Sequence, residues 1–396
     1  MSAARAAAGA VALLAVLAAG LWLGGHPAKL PPPLRDAFVD GSGGLSAEAT
    51  ELVEDYYYRP VAEDELVDSS LRGMVRGLRR RYRDRFSEYF SPRTLARFNE
   101  EIEGRFSGIG LSVSGVKSGL RVVKAFKGSP AERAGIEPGE TIVSAEGRSL
   151  AGLSANAATA RIKGPEGTEV TIGVRPRGGG RARQVTLVRA EIEVPVVSSE
   201  LVTVGGERLG YLRLAAFSRG AHGALRRSVR RLQRRGAEGL ALDLRGNGGG
   251  LLDEAVLSAS VFLPEGKVVV STRSRREGRT VYRTEGGNLP ALPTVVLIDR
   301  NTASAAEILA AALADQEDAR LVGGRSFGKG VFQQEIGLSN GGALKLTVGE
   351  YFTPDGTNLA GAGLRPDVRA RDLPGTAAVD EGRERALGVL AAEQIS

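Results

Sequence analysis

From Leu209 onward the chain alternates short apolar runs with helical patterns, and that alternation restricts the fold more than any other feature of the sequence. The order is Tyr211–Leu214, an amphipathic arginine-rich stretch over Arg226–Arg235, Leu240–Leu244, a helix from Asp253, Val295–Ile298, a helix from Ala305, Leu321–Gly323 and Leu344–Val348. A strand that is followed by a helix and then another strand pairs in parallel, because the helix returns the chain across one face of the sheet. The pattern therefore predicts an α/β core with parallel strands.

Upstream the texture changes twice. Between Leu45 and about Arg97, apolar residues recur at Leu66, Leu71, Met74, Val75 and Leu78 with polar positions between them, a helical spacing closed by the basic run Arg79–Arg85. From Phe106 to about Val188 short β runs follow one another, at Leu111–Val113, Leu120–Ala125, Thr141–Ser144 and Val170–Val174, separated by glycine and proline. That segment is long enough to be a module of its own. At the N-terminus, Arg5 precedes an apolar run of 20 residues, Ala6–Gly25, about the length that crosses a bilayer. It predicts an uncleaved anchor with its positive end inside and the rest exported, a cleaved signal being the alternative. The expected divisions are 1–25 anchor or signal, 26–44 linker with the stiff Pro31–Pro33, 45–100 helical segment packing on the core, 101–190 β module, 191–375 α/β core and 376–396 tail.

Composition removes several classes of chemistry. The chain has 396 residues, no cysteine and two histidines, which excludes disulfides, thiolate catalysis and cysteine-based zinc sites and leaves little for a histidine metal site. No motif supports a carboxylate metal site, and no metal or other cofactor is expected. The net charge of +7 is spread along the chain. Its densest cluster alternates with Leu225, Val229 and Leu232 at helical spacing, so it reads as the solvated face of a helix and not as a nucleic-acid surface.

Three constellations carry chemistry. Ser304-Ala305-Ala306-Glu307 opens a helix-favouring run, and Ser-x-x-Glu is equally the signature of a capping box, so Ser304 is either a plain cap or a nucleophile at a positive helix end where the Ala305 amide could meet an oxyanion. Asp243-Leu244-Arg245-Gly246-Asn247-Gly248-Gly249-Gly250 follows a core strand, where glycines let backbone amides approach a ligand; a tight turn is the bland reading. Gly323–Gly330 contains Lys329, 25 positions after Ser304. Gly323-x-x-x-x-Gly328-Lys329 matches a phosphate-binding loop until Gly330, where that loop needs Ser or Thr, and no helix start follows, so a nucleotide site is rejected. With His26 and His222 the only histidines, a serine with a lysine base is the stronger dyad. Only about 1 in 2500 lysines is neutral at pH 7, so Lys329 would need burial, here among Phe327, Val331 and Phe332, with Gln333 to orient it. Ser114-Gly115-Val116-Lys117 also spells Ser-x-x-Lys, but between strands, and is read as chance.

These strings resemble the C-terminal processing peptidases, or tail-specific proteases, a family of serine endopeptidases with a PDZ domain, over about Leu45 to Val368. Ser304–Glu307 is similar to the family's nucleophile string and Phe327-Gly328-Lys329-Gly330 to its lysine string, at the family's spacing. Arg85–Phe90, Gly210–Leu214, Thr353–Gly356 and Gly363–Val368 are further matches, whereas Ala306 and Ala360 stand where a second serine and a glutamine are usual. The resemblance implies Ser304 as nucleophile, Lys329 as base, Gln333 as the residue that positions it, and the amides of Gly250, or else Gly249, and Ala305 as the oxyanion hole. Gly108-Ile109-Gly110-Leu111 resembles the PDZ carboxylate-binding loop, and Gly128–Ile142 the turn, short helix and strand of such a domain.

The implied protein is an α/β protease core with an inserted mainly-β PDZ domain, an N-terminal helical segment and a transmembrane anchor. It would sit in a bacterial cell envelope with the catalytic part outside the cytoplasm, or be cleaved and secreted. Its expected partners are protein substrates with apolar C-termini, the membrane, and an adaptor protein, with no nucleic acid. A catalytically silent PDZ scaffold is the competing class.

Overall fold

The computed structural model describes residues 41–370 and 380–395, so the expected anchor at Ala6–Gly25 and most of the linker lie outside the described residues. No helix among the described residues is long and apolar enough to cross a membrane. Two units are present, one of residues 41–92 with 335–346 and one of 93–334 with 347–395.

In the first unit, α1 (Gly41–Tyr56) and α2 (Glu63–Tyr82) realise the helical texture. Helix α2 starts on Glu63, Asp64 and Glu65 and ends on Arg79, Arg80 and Arg81, charges that oppose the helix dipole at both ends. The short β1 (Glu88–Phe90) pairs antiparallel with residues 343–345, burying Tyr89 and Phe90.

The second unit opens with α3 (Pro92–Glu103) and β2 (Arg105–Gly108), which lead into the β module. Its sheet consists of β3 (Leu111–Val116), β4 (Gly119–Ala125), β5 (Thr141–Ala145) with the short β6 (Arg148–Ser149), β7 (Glu169–Arg175) and β8 (Arg183–Val188), in the order β3-β4-β5-β7-β8. Two helices, α4 (Pro130–Arg133) and α5 (Ala155–Ile162), accompany it. Leu120, Ile142, Val170, Ile172 and Val174 are fully buried and form a core separate from that of the α/β segment. Helix α5 and strand β8 are absent from the sequence reading; Ala-rich α5 carries few large apolar residues to betray its period. Strand β9 (Ala190–Glu193) pairs with β2 and closes the module where it began.

The α/β core follows: β10 (Val197–Val204), β11 (Glu207–Leu214), α6 (Ala221–Arg234), β12 (Gly239–Asp243), α7 (Leu252–Phe262), β13 (Val268–Ser274), β14 (Gly278–Arg283), β15 (Thr294–Ile298), α8 (Ala305–Glu317), β16 (Arg320–Gly323), β17 (Val331–Gly337), β18 (Ala343–Phe352), β19 (Val368–Arg369) and α9 (Glu381–Ile395). Its main sheet has the order β10-β11-β12-β15-β16-β19 and is parallel from β11 to β19. Both faces are covered, which is why its strands read as continuous apolar runs. Leu240, Leu242, Val296 and Ile298 pack under α6, α7 and α8, while Ala241, Val295 and Leu297 meet Ala386, Leu387 and Leu390 of α9. The arginines of α6 point away from buried Leu225, Val229 and Leu232, as its period predicts.

Two expectations need correction. Leu344–Val348 does not join the parallel sheet: it lies in β18, which pairs antiparallel with β13 in a second sheet. The segment read as a tail, 376–396, contains α9, whose Leu390 is fully buried against the main sheet.

Candidate active site

Strand β15 ends at Ile298, and residues 299–303 carry the chain to Ser304 at the start of α8. Asp299 holds this loop: its Oδ1 accepts the N–H groups of Gly246, Asn301 and Thr302, each at 3.0 Å. Thr302 Oγ1 donates to Leu244 O at 2.9 Å and Ala303 N–H to Asn247 O at 3.0 Å, so the Ser304 loop is tied to the glycine-rich loop after β12.

Ser304 itself has φ 58° and ψ −122°. An ordinary N-cap sits in the extended region. A non-glycine residue at positive φ is strained by the order of 1–3 kcal/mol and persists only where its surroundings hold it there. Such a sharp strand-to-helix turn lifts a serine hydroxyl away from the helix it precedes. That backbone is unlike an ordinary N-cap's, although Ser304 and Glu307 also make the capping-box contact that the sequence leaves open.

Glu307 is the residue that gathers the site, although in the sequence it stands out only as the capping-box partner of Ser304. Its side chain is fully buried. Oε2 accepts the N–H of Ser304 at 3.0 Å and the N–H of Lys329 at 3.0 Å, which puts those two backbone positions within two hydrogen-bond lengths of each other. Oε1 accepts the N–H of Gly328 at 2.7 Å and the Ser326 hydroxyl. A buried carboxylate is tolerated when donors surround it, and here four do. Burial and the neighbouring Glu307 charge push the Tyr351 hydroxyl far above its ordinary range.

The lysine loop is packed as tightly as its glycines allow. At Gly328 (φ 82°) a Cβ would come within 2.8 Å of Gly363 N, and at Gly330 within 2.3 Å of Asn358 Oδ1. Ser326 Oγ also receives Leu364 N–H at 2.7 Å, so this hydroxyl both donates to Glu307 and accepts from the chain at Leu364. Residues 331–337 form β17, not the helix a nucleotide loop needs. Lys329 is half-buried, but Phe327, expected to cover it, is 47% exposed. Gln333 Nε2 donates to Thr347 Oγ1 on β18 at 3.2 Å.

The glycine loop closes from the other side. A Cβ at Gly249 (φ 99°) would stand 2.8 Å from Ser304 Cβ and 3.0 Å from Ala305 N, so only glycine fits against the serine. The Gly249 N–H is committed to Asn247 Oδ1 at 2.9 Å. Gly250 pairs with Phe217 as an isolated parallel bridge, with Phe217 N–H on Gly249 O and Leu251 N–H on Phe217 O, so its own N–H faces the opposite way. Among the described residues, neither the Gly250 nor the Ala305 N–H has an acceptor in the chain.

A second cluster secures the same edge of the sheet. Asp243, fully buried, accepts the Tyr211 hydroxyl and the Arg245 guanidinium, whose other side clamps Asp380 at 2.7 and 2.8 Å. Hydrogen bonding from Arg245 holds the Asp380 carboxyl below its usual range, whereas burial and then the Asp243 charge raise Tyr211. His222, the one histidine among the described residues, is engaged with Glu254 (Nδ1 to Oε2, 2.9 Å) at the start of α6. No group of three or more potential metal ligands occurs among the described residues.

In the β module, residues 108–111 link β2 to β3. The carbonyls of Ile109 and Gly110 turn inward, accepting Ala131 N–H and Phe126 N–H at 2.9 Å each, and the Ile109 and Gly110 N–H groups have no acceptor in the chain among the described residues. Gly110 (φ 80°) leaves no room for a side chain, since a Cβ would overlap Ser129 Cβ at 2.2 Å. Strand β3 is the free edge of its sheet, and α5 runs beside it.

Residues 208–370 match the pattern of Peptidase family S41, and residues 121–176 that of a PDZ domain. The chain is 34% identical over 327 residues to the carboxy-terminal processing protease CtpA of Bacillus subtilis, covering 83% of this chain and 68% of that protein. It is 31% identical to CtpB of the same organism, covering 81% and 66%. A solved photosystem II D1 C-terminal processing protease aligns over 84% of this chain and 94% of its own, at 28% identity and a TM-score of 0.49. The chain belongs to Peptidase family S41: it is a serine-type peptidase that carries a PDZ domain.

Proposed function

We propose that this chain is an exported endopeptidase that cuts proteins near their C-termini, with Ser304 as nucleophile and Lys329 as its base. One observation carries the reading: a single buried oxygen of Glu307 binds the backbone of both residues while Ser304 is held at positive φ. Neutral Lys329 takes the hydroxyl proton as Ser304 Oγ attacks the scissile carbonyl. The Gly250 and Ala305 amides then stabilise the oxyanion, and Lys329 returns its proton to the leaving amine. Water repeats the sequence on the acyl-enzyme. Gln333, fixed through Thr347, positions the amine. The Ile109 and Gly110 amides at the open edge of β3 are suited to a terminal carboxylate and an added strand, so the PDZ domain selects the substrate's apolar tail. The apolar run Ala6–Gly25 anchors the enzyme with its folded part outside the cytoplasm of a bacterial envelope, where an adaptor protein can deliver substrates.

The test is incubation of the full chain in detergent with proteins ending in apolar residues, read by mass spectrometry. C-terminally shortened products should form, and Ser304→Ala should form none. Cleavage that persists in Ser304→Ala would end the assignment, and absence of cleavage on every tail would leave a PDZ scaffold.

A further inference from the structure

A cavity of about 270 Å³ opens beside the Lys329 loop, lined by Gly323, Gly324, Arg325, Arg365, Pro366 and Arg369. Gly323 ends β16, and a Cβ there would meet Ile298 O, the end of β15, at 2.2 Å; one at Gly324 would stand 4.0 Å from Asp299 Cα. The cavity therefore lies at the edge of the parallel sheet from which Ser304 issues. Crevices at that edge are where sheets of this kind hold ligands.

Arg325, Arg365 and Arg369 are exposed but line the same cavity, and like charges gathered at its rim repel one another unless anions compensate them. Among the described residues none of the three forms an ion pair or hydrogen bond. Two carboxylates on the adjoining segments have partners elsewhere: Asp367 accepts Leu321 N–H at 2.7 Å, and Asp299 Oδ1 accepts the amides of Gly246, Asn301 and Thr302. A cleft lined by one sign of charge concentrates the opposite sign.

We infer that Arg325, Arg365 and Arg369 form a subsite for a carboxylate side chain of the polypeptide substrate, an acidic residue placed at a set distance from the scissile bond. The inference rests on the peptidase reading above. The cavity holds one side chain and no folded partner. Arg325 is joined to the site through Ser326, whose hydroxyl binds Glu307, and Arg365 through Leu364, whose N–H binds that same hydroxyl. An anchored carboxylate would add cleavage-site selectivity to whatever the distant tail supplies.

The test uses the full chain and a peptide series in which one Glu is moved through the positions on either side of the cut, each paired with its Gln counterpart. At one position wild type should prefer Glu over Gln by about tenfold or more in kcat/KM, as expected for a charge-assisted hydrogen bond. In Arg365→Gln/Arg369→Gln that ratio should fall to about one. Binding of the same peptides to Ser304→Ala, followed by fluorescence anisotropy, should show the same preference, and it reads the subsite even if no peptide is cut. A thermal midpoint equal to wild type confirms that the double variant folds. Inorganic phosphate should reduce the Glu preference more than chloride at matched ionic strength. Equal rates and affinities for Glu and Gln at every position overturn the inference. So does phosphate binding that leaves peptide preference unchanged, which would mark an anion site without a substrate role.

Discussion

In the proposed mechanism Ser304, Lys329 and Glu307 act through one another, so removing them should not give additive losses. Ser304→Ala and Lys329→Ala should each abolish proteolysis, and the double variant should be little worse than either in single-turnover assays. Lys329→Arg should be as inactive as Lys329→Ala, because a guanidinium cannot release its proton at working pH. Glu307→Gln replaces an acceptor of four donors with a group that brings an N–H₂ of its own. It should lower kcat by about 100-fold through misplacement of both loops, with the far-UV circular dichroism unchanged. The serine and the lysine were legible as residue types in suggestive strings. Glu307 was legible only as a capping partner, because its other donors arrive from Ser326 to Lys329, about twenty positions away in sequence. Nothing local announces such a contact.

Among the elements, the loop after β12 and helix α9 make the sharpest predictions. Gly249→Ala must relieve a positive φ and a 2.8 Å approach to Ser304 Cβ at once. It should cost about 1–3 kcal/mol in chemical denaturation and most of the activity. Leu390→Ala, in the interface between α9 and the sheet, should cost about 2–5 kcal/mol in the same measurement. The Arg245–Asp380 pair fixes the start of α9 and gives it a pH dependence. Asp380 has a lowered carboxyl pKa in the folded protein, so its contribution is complete above the ordinary aspartate range, near pH 4, and is lost as pH falls through the depressed value. Wild type should therefore lose more stability than Asp380→Asn on acidification below about pH 4, measured by thermal midpoints. The period of α9 was present in the sequence as Ala386, Leu387, Leu390 and Ala391, but alanines make a faint stripe. Leu344–Val348 misled for the opposite reason: its apolar run fits a parallel strand, and only long-range pairing with β13 assigns it to another sheet.

In the whole molecule, the proposed function needs the PDZ domain to bind a tail and the α/β core to cut it. Amidation of a substrate's C-terminus, or a terminal Asp, should weaken its binding to Ser304→Ala in titration calorimetry and slow its cleavage by wild type, because the Ile109 and Gly110 amides lose their carboxylate or meet a second charge. Equal affinity for free-acid and amidated tails would leave the dyad standing and remove the PDZ role. The two-module plan was readable because texture changes between segments survive without tertiary knowledge, whereas the convergence of three separate loops on Ser304 does not. The central claim is that Lys329 activates Ser304, and an irreversible serine-directed phosphonate probe tests it most directly, with the labelled residue located by mass spectrometry. The account predicts labelling at Ser304 that quickens as pH rises and drops by about 100- to 10,000-fold in Lys329→Ala. Labelling of Ser304 at an unchanged rate in Lys329→Ala, or labelling at another residue, would contradict it.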